Sequence, residues 1–180
     1  MSKGYDVKTR LALVVMGMWL MGSIASSVVA TENFYTVDRM LTGSTNVEFY
    51  RNVQKLGFPQ TRELLRYLSS ELNRLYFRIW NVAQLVLGPL ALRLIWRRAR
   101  PFGFADWGLV AMLAIVLLML GYLTPAIVSL GRALDFVPRD PAPPGMSRFW
   151  ILHAVYTTLE MVKLAVGCCV TWFIARRTDG

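Results

Sequence analysis

Residues 149–173 read FWILHAVYTTLEMVKLAVGCCVTWF. The stretch is long and apolar enough to cross a bilayer, because a spanning helix needs about 20 mostly apolar residues. It nevertheless carries the chain's one histidine, His153, together with Glu160 and Lys163. Ionisable side chains are expensive in lipid and face protein or water there. The stretch therefore points to a membrane-embedded chain in which one face of this helix is turned inward.

The rest of the chain extends that reading. Hydrophobic residues make up 55% of it and charged residues 17%, more apolar and less charged than an ordinary soluble domain. Residues 11–31 and 105–130 meet the same length requirement as 149–173. Residues 75–96 form a weaker fourth span, with Arg78 and Arg93 near its ends. The expected fold class is all-α: a single integral membrane domain over 1–180, built as a four-helix bundle. A helical outer segment, 32–74, separates the first two spans, and a proline-rich outer loop, 132–148, separates the last two. Val28-Val29-Ala30 resembles a signal-peptidase site, but the apolar block before it is longer than a signal h-region of about 7–15 residues, which favours an uncleaved anchor.

The net charge of +9 suits nucleic acid only if its placement is ignored. Lys3, Lys8 and Arg10 precede the first span, Arg97, Arg98 and Arg100 follow the second, and Arg176-Arg177 follows the fourth. Dense basic residues in short segments beside spans are the positive-inside pattern. They place both termini in the cytoplasm of a bacterial-type inner membrane, with the bilayer as partner and no nucleic acid. Adjacent Cys168 and Cys169 point about 100° apart on a helix, poor geometry for a disulfide, and read as small packing residues.

The outer segment has its own punctuation. Gly43-Ser44-Thr45-Asn46 and Gly57-Phe58-Pro59 are breaks, and Val47–Leu56 between them is expected as a short interfacial helix. Thr61 is the expected N-cap of a long helix that projects beyond the membrane before entering it. Leu64, Leu65, Leu68, Leu72 and Leu75 form an apolar stripe expected to pack on the outer segments, rest on lipid or dock a partner helix. Gly88-Pro89 and Pro125 are read as kinks of ordinary spanning helices. Asp106 and Ser147 are the expected N-caps of the third and fourth helices. Pro138, Pro141, Pro143 and Pro144 favour an extended linker.

On the fourth helix His153, Tyr156, Glu160, Lys163 and Gly167 advance by three or four residues and share one face. Glu160 lies about 16 Å along the axis from Phe149, near the middle of the hydrocarbon core. Lys163 can pair with it at i,i+3. With alternating helix directions, Arg78 and Asn81 on the second span, Tyr122 and Thr124 on the third, and Glu32 after the first reach the outer half at similar depth. These residues are expected to form a polar pocket opening outward and narrowing toward Glu160, with Glu32 and Arg78 pairing at its rim. His153 is also a candidate haem ligand, with a methionine as the second ligand. No zinc-type Cys/His spacing, phosphate loop or nucleophile motif is present in the sequence.

The order of features resembles the transmembrane protein 205-like family, four-helix membrane proteins of unknown function. The likeness rests on Trp19 and Gly22 in the first helix, Leu72-Asn73-Arg74-Leu75-Tyr76-Phe77 entering the second, Tyr122-Leu123-Thr124-Pro125 closing the third and Phe149-Trp150-Ile151-Leu152-His153 opening the fourth. It implies the same architecture and no particular chemistry. A more distant likeness is to the four-helix, haem-containing protoporphyrinogen oxidase of bacteria, whose first-helix histidine has no counterpart here.

The functional expectation is a non-enzymatic packing or accessory subunit of a homo-oligomer or larger membrane complex. A small transporter or proton- or ion-handling protein using Glu160, Lys163 and His153 is the alternative, and a haem-binding redox protein is the third reading.

Overall fold

The computed structural model describes residues 3–96 and 101–176, with side chains from Val7 onward. The basic run Arg97-Arg98-Ala99-Arg100, and Arg177, lie outside the described residues. In chain order the elements are α1 (Lys3–Gly43), α2 (Val47–Leu56), α3 (Phe58–Ile95), α4 (Phe104–Leu118), a π turn (Met119–Leu123), α5 (Thr124–Ala133) and α6 (Met146–Arg176). Among the described residues, four rods are long and apolar enough to cross a membrane: α1, α3, α4 to α5 through the π turn, and α6. The protein is an all-helical membrane bundle. Helix directions alternate, so the start of α1, the α3–α4 connection and the end of α6 share one face, called here the terminal side.

α1 and α3 do not stop where the apolar windows do. Their 41 and 38 residues make rods of about 60 Å at 1.5 Å per residue, roughly twice the thickness of a hydrocarbon core. The surplus forms an antiparallel stalk on the face opposite the termini. The first helix thus continues past Thr31 to Gly43 rather than ending there. α2 closes the stalk tip, with the bounds the sequence suggested. Asn46 caps it by accepting from the Phe49 amide at 3.0 Å. Val53 of α2 is buried against Val37 and Leu41, with Phe49 and Leu65 packed around them. Gly57 joins α2 to α3 at φ 88°, a conformation that a Cβ disfavours.

Several local expectations are corrected. Thr61 is not the cap of α3: the helix begins at Phe58 with Pro59 in its first turn, and the Thr61 hydroxyl donates back to the Gly57 carbonyl at 2.9 Å. Asp106 sits inside α4 and accepts from the Gly103 amide at 2.8 Å. α6 starts at Met146, one residue before Ser147, with the Phe149 amide donating to Gly145 at 2.9 Å. Cys168 and Cys169 are exposed on the bundle surface rather than packed inside. Pro89 leaves α3 unbroken, whereas Pro125 directly follows the π turn. Proline lacks an N–H and its ring crowds the carbonyl four residues back; the widened turn before Pro125 fits that constraint.

The leucine stripe of α3 is split: Leu65 packs at the stalk tip and Leu72 is half-buried, while the other three face outward. Leu64, Leu68 and Leu75 are exposed, while Thr61, Ser69, Asn73, Asn81 and Gln84 are buried. The reason is a ladder of polar contacts to α1. Asn73 donates to the Ala30 carbonyl at 2.8 Å and accepts from Asn33 at 2.6 Å. Ser69 donates to the Asn33 carbonyl at 3.2 Å, and Trp80 to the Ser23 hydroxyl at 3.3 Å. Near the tip, Arg62 and Asp38 pair at 2.9 Å; the Arg62 guanidinium holds the Asp38 carboxyl below its ordinary pKa, and the carboxylate raises that of Arg62. Buried polar groups need partners, and within the lipid-covered part of α3 only protein can supply them.

A second tie secures the stalk base. Arg74 bonds both Glu71 and, at 2.9 Å, Asp135, just past α5. Tyr67 stacks on Phe136 at 4.9 Å between centroids. Phe136 begins the non-helical linker to α6 in a left-handed conformation, φ 58°. On the terminal side the core is apolar: Met16, Ala91, Leu109, Met112, Val116 and Val170 are fully buried. Glycines bring the helices close there. A methyl group at Gly108 would meet Val170, and one at Gly167 would meet Leu20 and Met112.

Candidate functional site

Where the polar ladder ends, α6 turns Tyr156, Glu160 and Lys163 toward the polar side chains of α3, and Gly167 toward α1 and α4. Lys163 is 1% exposed and Glu160 8%. The Lys163 ammonium donates to Glu160 Oε2 at 2.7 Å and also to Gln84 Oε1 on α3. Trp19 Nε1 of α1 donates to the same Gln84 oxygen at 2.9 Å. That oxygen has two lone pairs, and both are taken. The Gln84 amide nitrogen donates to Asn81 Oδ1 at 3.3 Å. Asn81 in turn donates to the Thr124 hydroxyl at 3.1 Å, which the end of the π turn presents. One connected network thus joins α1, α3, α5 and α6 at the level of the ion pair.

The chemistry follows from the medium. A lone charge at mid-membrane costs roughly 2.5–3.5 kcal/mol on insertion scales. The Glu160–Lys163 contact offsets the two charges, and the Gln84 carbonyl takes another ammonium proton. Removing either partner leaves a buried, uncompensated charge, which is far costlier than the intact pair.

Among the described residues, two buried side-chain atoms have no hydrogen-bond partner: Glu160 Oε1 and His153 Nδ1. They flank Tyr156 on the same face of α6. The Tyr156 hydroxyl reaches Asn81 and Thr124, and its ring meets Phe77 edge-on at 5.6 Å. His153 is half-buried and lies against Phe149 and Trp150, at 4.9 and 6.1 Å between ring centroids.

Of the expected pocket residues, the structure brings together Asn81, Tyr156, Glu160 and Lys163, with His153 one turn closer to the stalk. Glu32 pairs instead with Arg39 at 2.6 Å, and both are exposed; the expected Glu32–Arg78 rim does not form. Arg78 and Tyr122 are on the bundle surface. A surface depression of about 280 Å³ on α1 includes Glu32, Ser27, Val28 and Thr31 but none of the network residues. Gln84 and Trp19 are the site residues that sequence reasoning passed over. Gln84 is an amide inside a span, three residues after Asn81, and that alone was a signal.

No family model, curated protein or solved structure matches this chain. Among the described residues, no group of three His, Cys, Asp or Glu side chains converges as a metal site would require.

Proposed function

We propose that this protein is a non-enzymatic accessory subunit that works within a homo-oligomer or a larger membrane complex, with both termini in the cytoplasm of a bacterial-type inner membrane. The carrying observation is the apolar surface of the stalk. Leu64 is 50% and Leu68 54% exposed, yet they lie about 16 and 10 Å along α3 beyond Leu75, where the apolar span begins. Interfacial lipid on each side adds only about 5–7 Å to the hydrocarbon core. Lipid therefore covers Leu75 and the residues below it but not Leu64. A protein surface would cover the rest, as helix-in-groove contacts do.

The likeness to the transmembrane protein 205-like family is part of the same proposal. Its motif residues Trp19, Gly22 and Asn73 all sit at the α1–α3 contact, with Gly22 directly under the Trp80 ring. In this reading the motif describes how the stalk rods are held.

Native mass spectrometry after gentle extraction tests the proposal. The expected result is a multimer or a defined complex, lost in a Leu64→Glu/Leu68→Glu variant whose thermal unfolding is unchanged. A wild-type protein that is a lone monomer under every mild detergent contradicts it.

A further inference from the structure

We propose that Arg78 binds the phosphate of an anionic lipid headgroup in the stalk-side leaflet, with the acyl chains of that lipid lying along the exposed apolar face of α3 beneath it. The site is separate from the stalk surface that carries the accessory role, and the two stand or fall independently.

The first observation is a charge left over. Five charged side chains sit at the base of the stalk: Glu71, Arg74 and Arg78 on α3, Arg132 on α5 and Asp135 just past it. Arg74 bonds both Glu71 and Asp135, and Arg132 contacts Glu71 at 3.7 Å. Both carboxylates are thereby engaged. Arg78 is exposed and, among the described residues, has no hydrogen bond, ion pair or ring contact.

The second is depth. Arg78 lies three residues past Leu75, where the apolar span begins, which is about 4.5 Å along the axis. Headgroups and the interface occupy about 5–7 Å on each side of the hydrocarbon core. An arginine stem lies along apolar surface and carries its guanidinium back to that boundary, the level of the lipid phosphates. The planar guanidinium matches phosphate oxygens with paired N–H bonds.

The third is what lies below. Ile79 is 58%, Val82 52% and Val86 64% exposed. With Leu75 they recur at three- and four-residue spacing, so one strip of α3 faces outward along the hydrocarbon. A cation at headgroup level above an apolar strip at acyl level fits a lipid. Free phosphate would make no use of the strip. A protein docked on Leu64 and Leu68 would lie about 21 and 15 Å farther along α3, beyond the headgroups.

The surroundings favour an anionic headgroup. Glu71 is seven residues before Arg78 and shares its face, but Arg74 and Arg132 hold it. The side chain of Arg132 is 58% exposed and adds a second positive charge above Arg78. A zwitterionic headgroup brings its own cation into this surplus, and an anionic one does not.

Photocrosslinking of the full chain in liposomes tests this, with a benzophenone side chain introduced at the exposed Val82, one turn deeper on the same strip. In vesicles of equal phosphatidylglycerol and phosphatidylcholine, mass spectrometry of the adducts is expected to show phosphatidylglycerol enriched several-fold. Arg78→Gln should return the ratio to that of the mixture. Arg78→Lys should keep part of the enrichment, because the charge remains without the fork, and Arg132→Gln should lower it less than Arg78→Gln does. Millimolar inorganic phosphate should leave it unchanged. The proposal is overturned by a ratio equal to the mixture when Arg78 is present, by enrichment that survives Arg78→Gln, by competition from inorganic phosphate, or by adducts to a second polypeptide in place of lipid.

Discussion

The two halves of the bundle interior are built on different rules. Toward the stalk, α3 meets α1 and α6 through directed contacts, Asn33 to Asn73, Trp80 to Ser23, Trp19 and Lys163 to Gln84, while Met119, Leu123 and Leu152 pack the π turn against α6. Toward the termini, the helices meet through methionine, leucine and valine packed over small residues such as Gly108 and Gly167. In lipid, apolar packing does not fix the choice of neighbour by itself, because lipid tails are as apolar as leucine. Directed bonds are what set rotation and register. The contrast teaches that the polar half specifies the arrangement and the apolar half fills it.

The sharpest way to break that contrast is to unpair the centre. Lys163→Met leaves Glu160 buried without its cation and is expected to cost about 3–5 kcal/mol. Adding Glu160→Leu should recover most of the loss, because the charge that suffers is then gone. Equilibrium unfolding in detergent micelles measures both, and a single variant as stable as wild type would remove the pair from its specifying role.

A smaller effect probes the filled half. Met112→Ala opens a cavity beneath Gly167 and is expected to cost about 2 kcal/mol, at the low end for a buried methionine. It should leave the helix register intact, as read by cysteine cross-linking across α1 and α3. A register shift in this variant would show that packing also specifies.

The smallest effect lies outside the membrane, at Asp38 and Arg62. Both are about two-fifths exposed, so the pair contributes at most about 1 kcal/mol after solvent screening. Arg62 lowers the folded pKa of Asp38. A depressed carboxyl pKa means the contribution is complete above the unfolded pKa and is lost as pH falls through the folded one. Asp38→Asn should therefore lose up to about 1 kcal/mol at neutral pH and nothing below the folded pKa, which flattens the acid limb of the stability profile.

Much of this was legible from one helix. The number of spans, the α2 bounds and the projection of α3 beyond the membrane follow from apolar length and from the Gly43–Asn46 and Gly57–Pro59 breaks. The pairing of Glu160 with Lys163 follows from spacing alone. The orientation of α3 did not. Its leucine periodicity left packing, lipid and a partner helix open, and the polar ladder to α1 divides the stripe, with Leu65 packed at the tip and Leu64, Leu68 and Leu75 exposed. Glu32 was drawn toward Arg78 by depth, but Arg39 is nearer on the same helix. Gln84 was overlooked because attention went to charged groups, although an amide three residues after Asn81 in a span needs partners in lipid as well.

The unbroken course of α3 has a mechanical meaning. From Gln84 to Thr61 the helix runs without interruption, a rod of about 35 Å. Just below Gln84, Pro89 removes one backbone bond, making that turn the most compliant in the helix. A stiff arm above a soft turn is a lever. A tilt of about 5° at the proline, about 42 Å from Thr61, displaces the stalk tip by about 4 Å. A change in how Lys163 holds Gln84 would arrive at α2 as a movement an order of magnitude larger than a bond-length adjustment, on the side of the membrane where a partner can sense it.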